Sequence, residues 1–351
     1  MRHRLTALFL TMFAIAAPAG AQDTITFRDR TAKPEKVATL SGDIRDEKFT
    51  GVKIKPSVGA ERDIPAGDII EIVYAVPGAV NIDYKSAITN ENRKSATEAG
   101  HKAMEEAEKL YGIVLSKLKD EKTARIQRHL QYKILTTRAF LVAGDKPKTL
   151  DLIEQFDKFR KQYPTDWQTV ACSRQQAQLL IDLEDYEPAA KVYEDLLKNP
   201  ELGKDVKQEL ELASVDLLMR AKNYAVAETR IKDALDRLPA GDPQAERLKI
   251  YQIGCQAATA DLKTVEPQLL ATIEKTADPG LKALAYNTLG DCYVAKGNKK
   301  DARWAYLWVD SVYNQDRTEF LKALEKLSQV FKDLNDEDHS NKYKEKLARL
   351  K

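Results

Sequence analysis

The chain has 351 residues, 31% charged and 7% aromatic, and its 56 Lys+Arg nearly balance 54 Asp+Glu. That balance, without a dense basic run, excludes the electropositive stripe that nucleic-acid binding needs. It suits a water-exposed helical protein laced with salt bridges. The length allows two or three domains at about 100–200 residues each.

The first residues, "MRHRLTALFLTMFAIAAPAGAQD", set Arg2 and Arg4 before an apolar run from Leu5 to Ala17 and then Ala19-Gly20-Ala21. A basic start, a short apolar core and an A-x-A site describe a secretory signal peptide. The run is too short to span a bilayer, which takes about 20 apolar residues. No Cys lies near the junction for a lipid anchor. We expect cleavage after Ala21, a mature N-terminus at Gln22, and export to a periplasm or the exterior. Loss of Arg2 and Arg4 lowers the 56 Lys+Arg by two, to equal the 54 Asp+Glu. No later segment is apolar for long enough to span a membrane.

Residues 22–76 read as a small all-β domain. "TITF", "KVATLSGDI", "GVKIKP", "ERDIP" and "IIEIVY" are short, rich in Val, Ile and Thr, and separated by Gly, Pro and Asp. In "GVKIK" the alternation puts Val52 and Ile54 on one face and Lys53 and Lys55 on the other. Five such strands suit a closed or half-closed barrel. Their order, ending "DIPAGDIIEIVY", resembles the Sm-like small β-barrels that precede helical repeats in some exported bacterial proteins. Residues 77–87 read as a linker punctuated by Pro77-Gly78, and residues 88–351 as helical throughout. Breaks fall at Gly144-Asp145, Tyr163-Pro164, Asn199-Pro200, Leu238-Pro239, Asp278-Pro279-Gly280 and Asn314-Gln315.

The helical part repeats. Ala189, Ala227, Val265 and Ala302 each follow an interhelical turn at spacings of 38, 38 and 37, and Ser340 lies another 38 on. Four residues after the first four come larger residues, Tyr193, Ile231, Leu269 and Tyr306. In "LGDCYVAKGNKKDARWAY", Leu289, Gly290, Tyr293, Gly297, Ala302 and Tyr306 match the large, small and aromatic pattern of the tetratricopeptide repeat (TPR) family, which this segment resembles. Leu327, Ser328 and Phe331 match in part, while Ala177 and Val215 stand where the family favours Gly. The resemblance covers residues 165–351 and extends faintly over 131–164, with 102–118 as a preceding or capping helix.

The resemblance implies a mainly α chain: a TPR-like solenoid of helical hairpins following the small β domain. One hairpin cannot bury its apolar face alone, so stacked neighbours complete the core. The family's geometry implies a concave face carrying Arg174, Gln178 and Asp182, then Leu212, Asp216 and Arg220, then Ile250 and Ala258, then Asn287 and Asp291. Some members grip a terminal carboxylate with Lys and Asn; Leu212 and Ile250 stand at those positions and only Asn287 fits, so that role is not implied.

Catalytic chemistry needs a constellation. His101, His129 and His339 are the only histidines after the leader, and none has a Cys or a second His at ligand spacing. There is no G-x-S-x-G, H-E-x-x-H or G-x-x-x-x-G-K; "VAGDKPKT" (142–149) lacks the second Gly of a phosphate loop. We therefore expect no enzyme, cofactor or metal. The expected role is an exported scaffold that binds a protein or peptide in the cell envelope. The alternatives are a component that assembles with copies of itself, or a cell-wall glycan binder acting through the β domain.

Cys172, Cys255 and Cys292 are an odd number, so at least one is free or pairs between chains. A bond between Cys255 and Cys292 would need Cα atoms within about 7 Å. In "RWAYLW", Trp304 and Trp308 share a helical face that Tyr306 does not. They either pack under the next hairpin or form an exposed patch able to anchor a partner.

Overall fold

A computed structural model of the chain describes residues 22–32, 35–239, 242–257 and 262–350. The expected signal peptide (1–21) and the groove position Ala258 lie outside the described residues. The chain divides into two compact units, one ending at Cys172 and the other beginning at Ser173.

In the first unit the five expected strands form: β1 (Asp23–Asp29), β2 (Lys36–Lys48), β3 (Gly51–Pro56), β4 (Arg62–Pro65) and β5 (Ile69–Val73). They make an antiparallel sheet of order β4-β3-β2-β1-β5, with Ile25 opposite Leu40 and Ile44 opposite Ile54. Alternation works as expected, burying Val52 and Ile54 while Lys55 stays exposed. A register shift between Ile44 and Asp46 marks a bulge, which bends a strand locally. Gly42 lies in β2 where any Cβ would collide with the Lys55 carbonyl of β3, so the ladder requires glycine there. Among the described residues β4 and β5 each pair on one side only, so the sheet is open and not the closed form of the expected barrel.

The open sheet is stabilised by helices. The segment 77–87, expected as a linker, belongs to helix α1 (Gly78–Glu91), with Pro77 at its N-cap. Val80, Tyr84 and Ala87 recur at helical spacing, and all three are buried in the core that Ile25, Phe27, Ile54 and Ile72 supply from the sheet. α2 (Glu98–Lys117) adds Ala107, Tyr111 and Val114, and α3 (Ala124–Leu141) adds Ile126 and Leu130. Each fully buried aliphatic side chain contributes about 1.5–3 kcal/mol. The residues read as an isolated β domain thus share their core with helices from beyond residue 87. α4 (Lys146–Gln162) begins at Asp145, whose side chain accepts from the Lys148 amide.

Ion pairs fasten α3 to the sheet. Arg125 reaches Asp23 at 3.0 Å, Arg128 reaches Glu47 at 2.5 Å and Lys133 reaches Glu71 at 3.5 Å, while Lys133 also holds Glu91 of α1 at 2.9 Å. Between these pairs His129 is fully buried beside the Tyr74 ring, at 4.9 Å, and near Tyr132 and Trp167. Burial, with Lys133 and Arg128 nearby, holds its imidazole well below the usual histidine range. The unfolded state therefore takes up a proton as pH falls below about 6.5 while the folded state does not. Stability is expected to be complete above that pH and to fall by up to about 1.4 kcal/mol per pH unit below it. Denaturant titrations at several pH values check this: His129→Phe should lose that slope, and an equal slope in both proteins contradicts it.

The second unit is a solenoid of helical hairpins. α5 (Gln168–Asp182), which enters it at Ser173, pairs with α6 (Tyr186–Leu197), and α7 (Lys204–Arg220) with α8 (Tyr224–Arg237). α9 (Pro243–Ala257) and α10 (Leu262–Lys275), α11 (Pro279–Ala295) and α12 (Lys299–Ser311), and α13 (Arg317–Asp333) and α14 (Glu337–Leu350) follow. The repeat register matches this architecture: Ala189, Ala227, Val265, Ala302 and Ser340 are all fully buried. Tyr193, Ile231, Leu269 and Tyr306 are buried one turn further on.

The hairpin turns carry a second periodic signal. Glu184, Lys222, Gly297 and Asn335 have φ of 61°, 59°, 77° and 59°. After each, the next amide bonds back five residues, as from Asp185 to the Leu180 carbonyl and from Asn223 to that of Leu218, both at 2.9 Å. This left-handed stop favours glycine, because a Cβ there crowds the backbone. Glu184→Gly and Lys222→Gly are each expected to stabilise the chain by about 0.5–1 kcal/mol. Urea midpoints unchanged or lowered would contradict this.

Candidate functional site

Several of the expected groove residues meet within the second unit, on the faces of α7, α9, α11 and α13. Asp216, Arg220, Asn287 and Asp291 line one cleft of about 200 Å3 together with Tyr251, Lys322, Glu325 and Lys326. Gln178, Asp182 and Leu212 line an adjoining wider opening that also includes Asp216 and Arg220. Arg174 lines neither; it pairs with Glu209 of α7 at 2.9 Å. Ile250, expected on the groove, is fully buried in α9. The α9 stripe is rotated inward there, and Arg247 and Tyr251 face the opening instead.

The charges in this cleft are spent on one another. Lys322 lies 2.5 Å from Asp216 and 3.0 Å from Glu319, and Tyr251 Oη donates to Asp216 at 3.1 Å. Burial alone would raise the Asp216 carboxyl, but the Lys322 ammonium, Arg220 and the Tyr251 hydroxyl together outweigh it and hold the group below the usual carboxylate range. Burial alone would lower Lys322, yet Asp216, Tyr251 and Glu319 keep it well above the usual lysine range. Arg220 pairs with Glu325 at 3.2 Å and sits 4.2 Å over the Tyr186 ring. Arg247 reaches Asp316 at 3.2 Å. Asp291 accepts from Tyr306 Oη at 2.6 Å and pairs with Lys326 at 2.9 Å. Asn287 donates to both the carbonyl and carboxylate of Glu319 at 2.9 Å, leaving its own buried Oδ1 without a partner. Charges on α7 are thus held by α13, about a hundred residues later in the chain.

The α13 partners were missing from the sequence reading. Their signal was present: carrying the repeat one step past Asn287 lands on Glu325, and Glu319, Lys322 and Lys326 recur at helical spacing.

Trp304 and Trp308 are 59% and 45% exposed, so they do not pack under the following hairpin. With Val312, 43% exposed, they form a stripe along the outer face of α12. Tyr286 of α11 stacks on Trp308 at 5.8 Å and on Tyr313 at 5.5 Å, and Trp308 lies 6.3 Å from Tyr313. The three near-parallel rings form an offset-stacked cluster. Arg303 lies 5.5 Å over the Trp304 ring and Lys282 lies 5.5 Å over that of Tyr313.

The three cysteines are buried free thiols, and Cys255 and Cys292 are not bonded. Burial pushes both of these thiols up to about 12, which leaves them poor nucleophiles. Among the described residues no cluster of His, Cys, Asp and Glu could hold a metal ion, and no helix is long and apolar enough to cross a membrane.

Fold and surface together define a chain with a small antiparallel sheet near its N-terminus and a solenoid of helical hairpins later in the sequence. No family model matches the chain, and no curated protein matches it. Among solved structures it is similar to a tetratricopeptide repeat protein from Parabacteroides merdae ATCC 43184, at 15% identity and a TM-score of 0.45, over 76% of this chain and 93% of that one.

Proposed function

We propose that this chain is an exported, non-catalytic scaffold that captures a protein partner in the cell envelope, and that the partner docks on the outer face of α11 and α12. One observation carries the reading: Trp304 and Trp308 lie open to solvent, and Trp308 is braced from behind by the half-buried rings of Tyr286 and Tyr313. Large exposed aromatics supply contact area at small entropic cost, and Trp, Tyr and Arg dominate binding hot spots. The groove competes poorly for this role, because Asp216, Arg220 and Asp291 already have intramolecular ion partners. Export rests on the basic, apolar and A-x-A order of residues 1–21.

The double variant Trp304→Ala/Trp308→Ala tests the surface. Pull-down from intact envelopes should lose the captured partner, while the melting temperature shifts by no more than about 2 °C, as for exposed substitutions. Partner capture at the wild-type level contradicts the assignment. Light scattering on the same pair of proteins reads whether the docked molecule is a second copy of the chain.

A further inference from the structure

The second unit has a cleft on α6, α7 and α8, at a position that the last two hairpins fill with leucine. In the first helices of the last two hairpins, the residue before the small position is apolar: Leu289 and Leu327. Leu289 and Leu327 are both buried, filling the space between helices. At the corresponding place in α7 the chain has Ser214, and a cleft of about 240 Å3 opens beside it. Ser214 is 3% exposed, lines the cleft, and its hydroxyl has no hydrogen-bond partner. A buried, unsatisfied hydroxyl is costly, and one that lines a cleft is available to a bound molecule. Around it the floor is apolar, formed by Leu197, Val215 and Ala234.

The rim carries four cations against three anions. Arg230 Nε holds Glu194 at 3.0 Å, and Arg237 Nη1 holds Glu211 at 2.8 Å. Each guanidinium is about half exposed and uses only part of its donor set, leaving N–H groups at the mouth. The site thus offers an apolar slot in place of a leucine side chain, a hydroxyl at its depth, and arginine donors at its entrance.

We propose that this cleft binds a small carboxylate with an apolar body and a polar atom at its far end. The carboxylate meets Arg230 and Arg237, the body lies on Val215 and Ala234, and the tip hydrogen-bonds Ser214. This site is distinct from the aromatic docking surface and does not depend on it.

The probes are 4-hydroxybenzoate and benzoate, titrated against the full chain by saturation-transfer NMR. The wild-type protein should bind 4-hydroxybenzoate saturably, with Kd on the order of 1 mM for a ligand of about ten heavy atoms, and more tightly than benzoate. Ser214→Leu introduces the residue type of the last two repeats; it should weaken 4-hydroxybenzoate by at least about tenfold and raise the melting temperature. Ser214→Ala keeps the cleft and removes only the hydroxyl, so the two probes should then bind alike. Absence of saturable binding to wild type overturns the proposal, as does wild-type affinity in Ser214→Leu. Should Ser214→Leu not fold, a preference for 4-hydroxybenzoate that persists in Ser214→Ala overturns it equally.

Discussion

Gly290→Leu is expected to destabilise the second unit by about 3 kcal/mol or more, the upper range for overpacking. A Cβ at Gly290 would stand 2.6 Å from Cζ of Tyr306 and 2.8 Å from its Cδ1. The ring cannot retreat, because it is fully buried and its hydroxyl is anchored on Asp291 at 2.6 Å. Moving it would leave the buried Tyr306 hydroxyl without its acceptor. Ala302→Trp should act in the same direction, since Ala302 is fully buried in the same cluster. Gly112 is the internal control: it lies within α2 with nothing within 4 Å of an added Cβ. Gly112→Ala is expected to stabilise by about 1 kcal/mol through helix propensity. Urea denaturation of the three variants checks the set, and equal effects at Gly290 and Gly112 would mean that the Tyr306 contact does not matter.

The second large effect is expected at Lys322. Lys322→Ala strips the cation from Asp216 and from Glu319, whose side chain is 1% exposed. Removing one partner of a buried pair leaves an uncompensated charge and costs about 3–5 kcal/mol. Asp216→Asn combined with Lys322→Met should cost less than the sum of the single changes, because Asp216 no longer carries a charge to be stranded and Glu319 keeps Arg247 at 3.6 Å. The pair is less than one-fifth exposed, so added salt should change this little. The folded Asp216 carboxyl lies below its unfolded value of about 3.9. Its contribution is therefore complete above about pH 4 and lost as pH falls below it, well under the window of His129. Denaturation with and without salt, across pH 3 to 8, reads both effects. Arg220 belongs to the same network, so its charge reversal is expected to destabilise the chain.

Most of the architecture could be read from residue order, because its causes are local. Alternation of Val52, Lys53, Ile54 and Lys55 needs only the two-residue period of a strand. The recurrence of Ala189, Ala227, Val265, Ala302 and Ser340 needs only that adjacent hairpins touch at the same place. The helix breaks at Pro and Gly follow from backbone chemistry. The left-handed turn residues were harder to see, since Glu184, Lys222, Gly297 and Asn335 share a conformation but not a residue type.

Long-range pairing had to come from the tertiary structure. Residues 77–87 contain turn formers and so resembled a linker, but Val80 and Tyr84 become helical once a sheet offers them an apolar face. Asp216 and Arg220 sit on the solvated side of α7 considered alone. Only the stacking of later hairpins brings Lys322 and Glu325 across to neutralise them. Whether Trp304 and Trp308 were core or surface depended on the neighbour that might have covered them, and none of the described residues does so fully. Periodicity along the chain therefore determined the elements and their repeat. Which charges are spent internally, which hydroxyl stands unanswered and which aromatics remain open was decided by contacts between residues far apart in sequence, whose energies no local pattern contains.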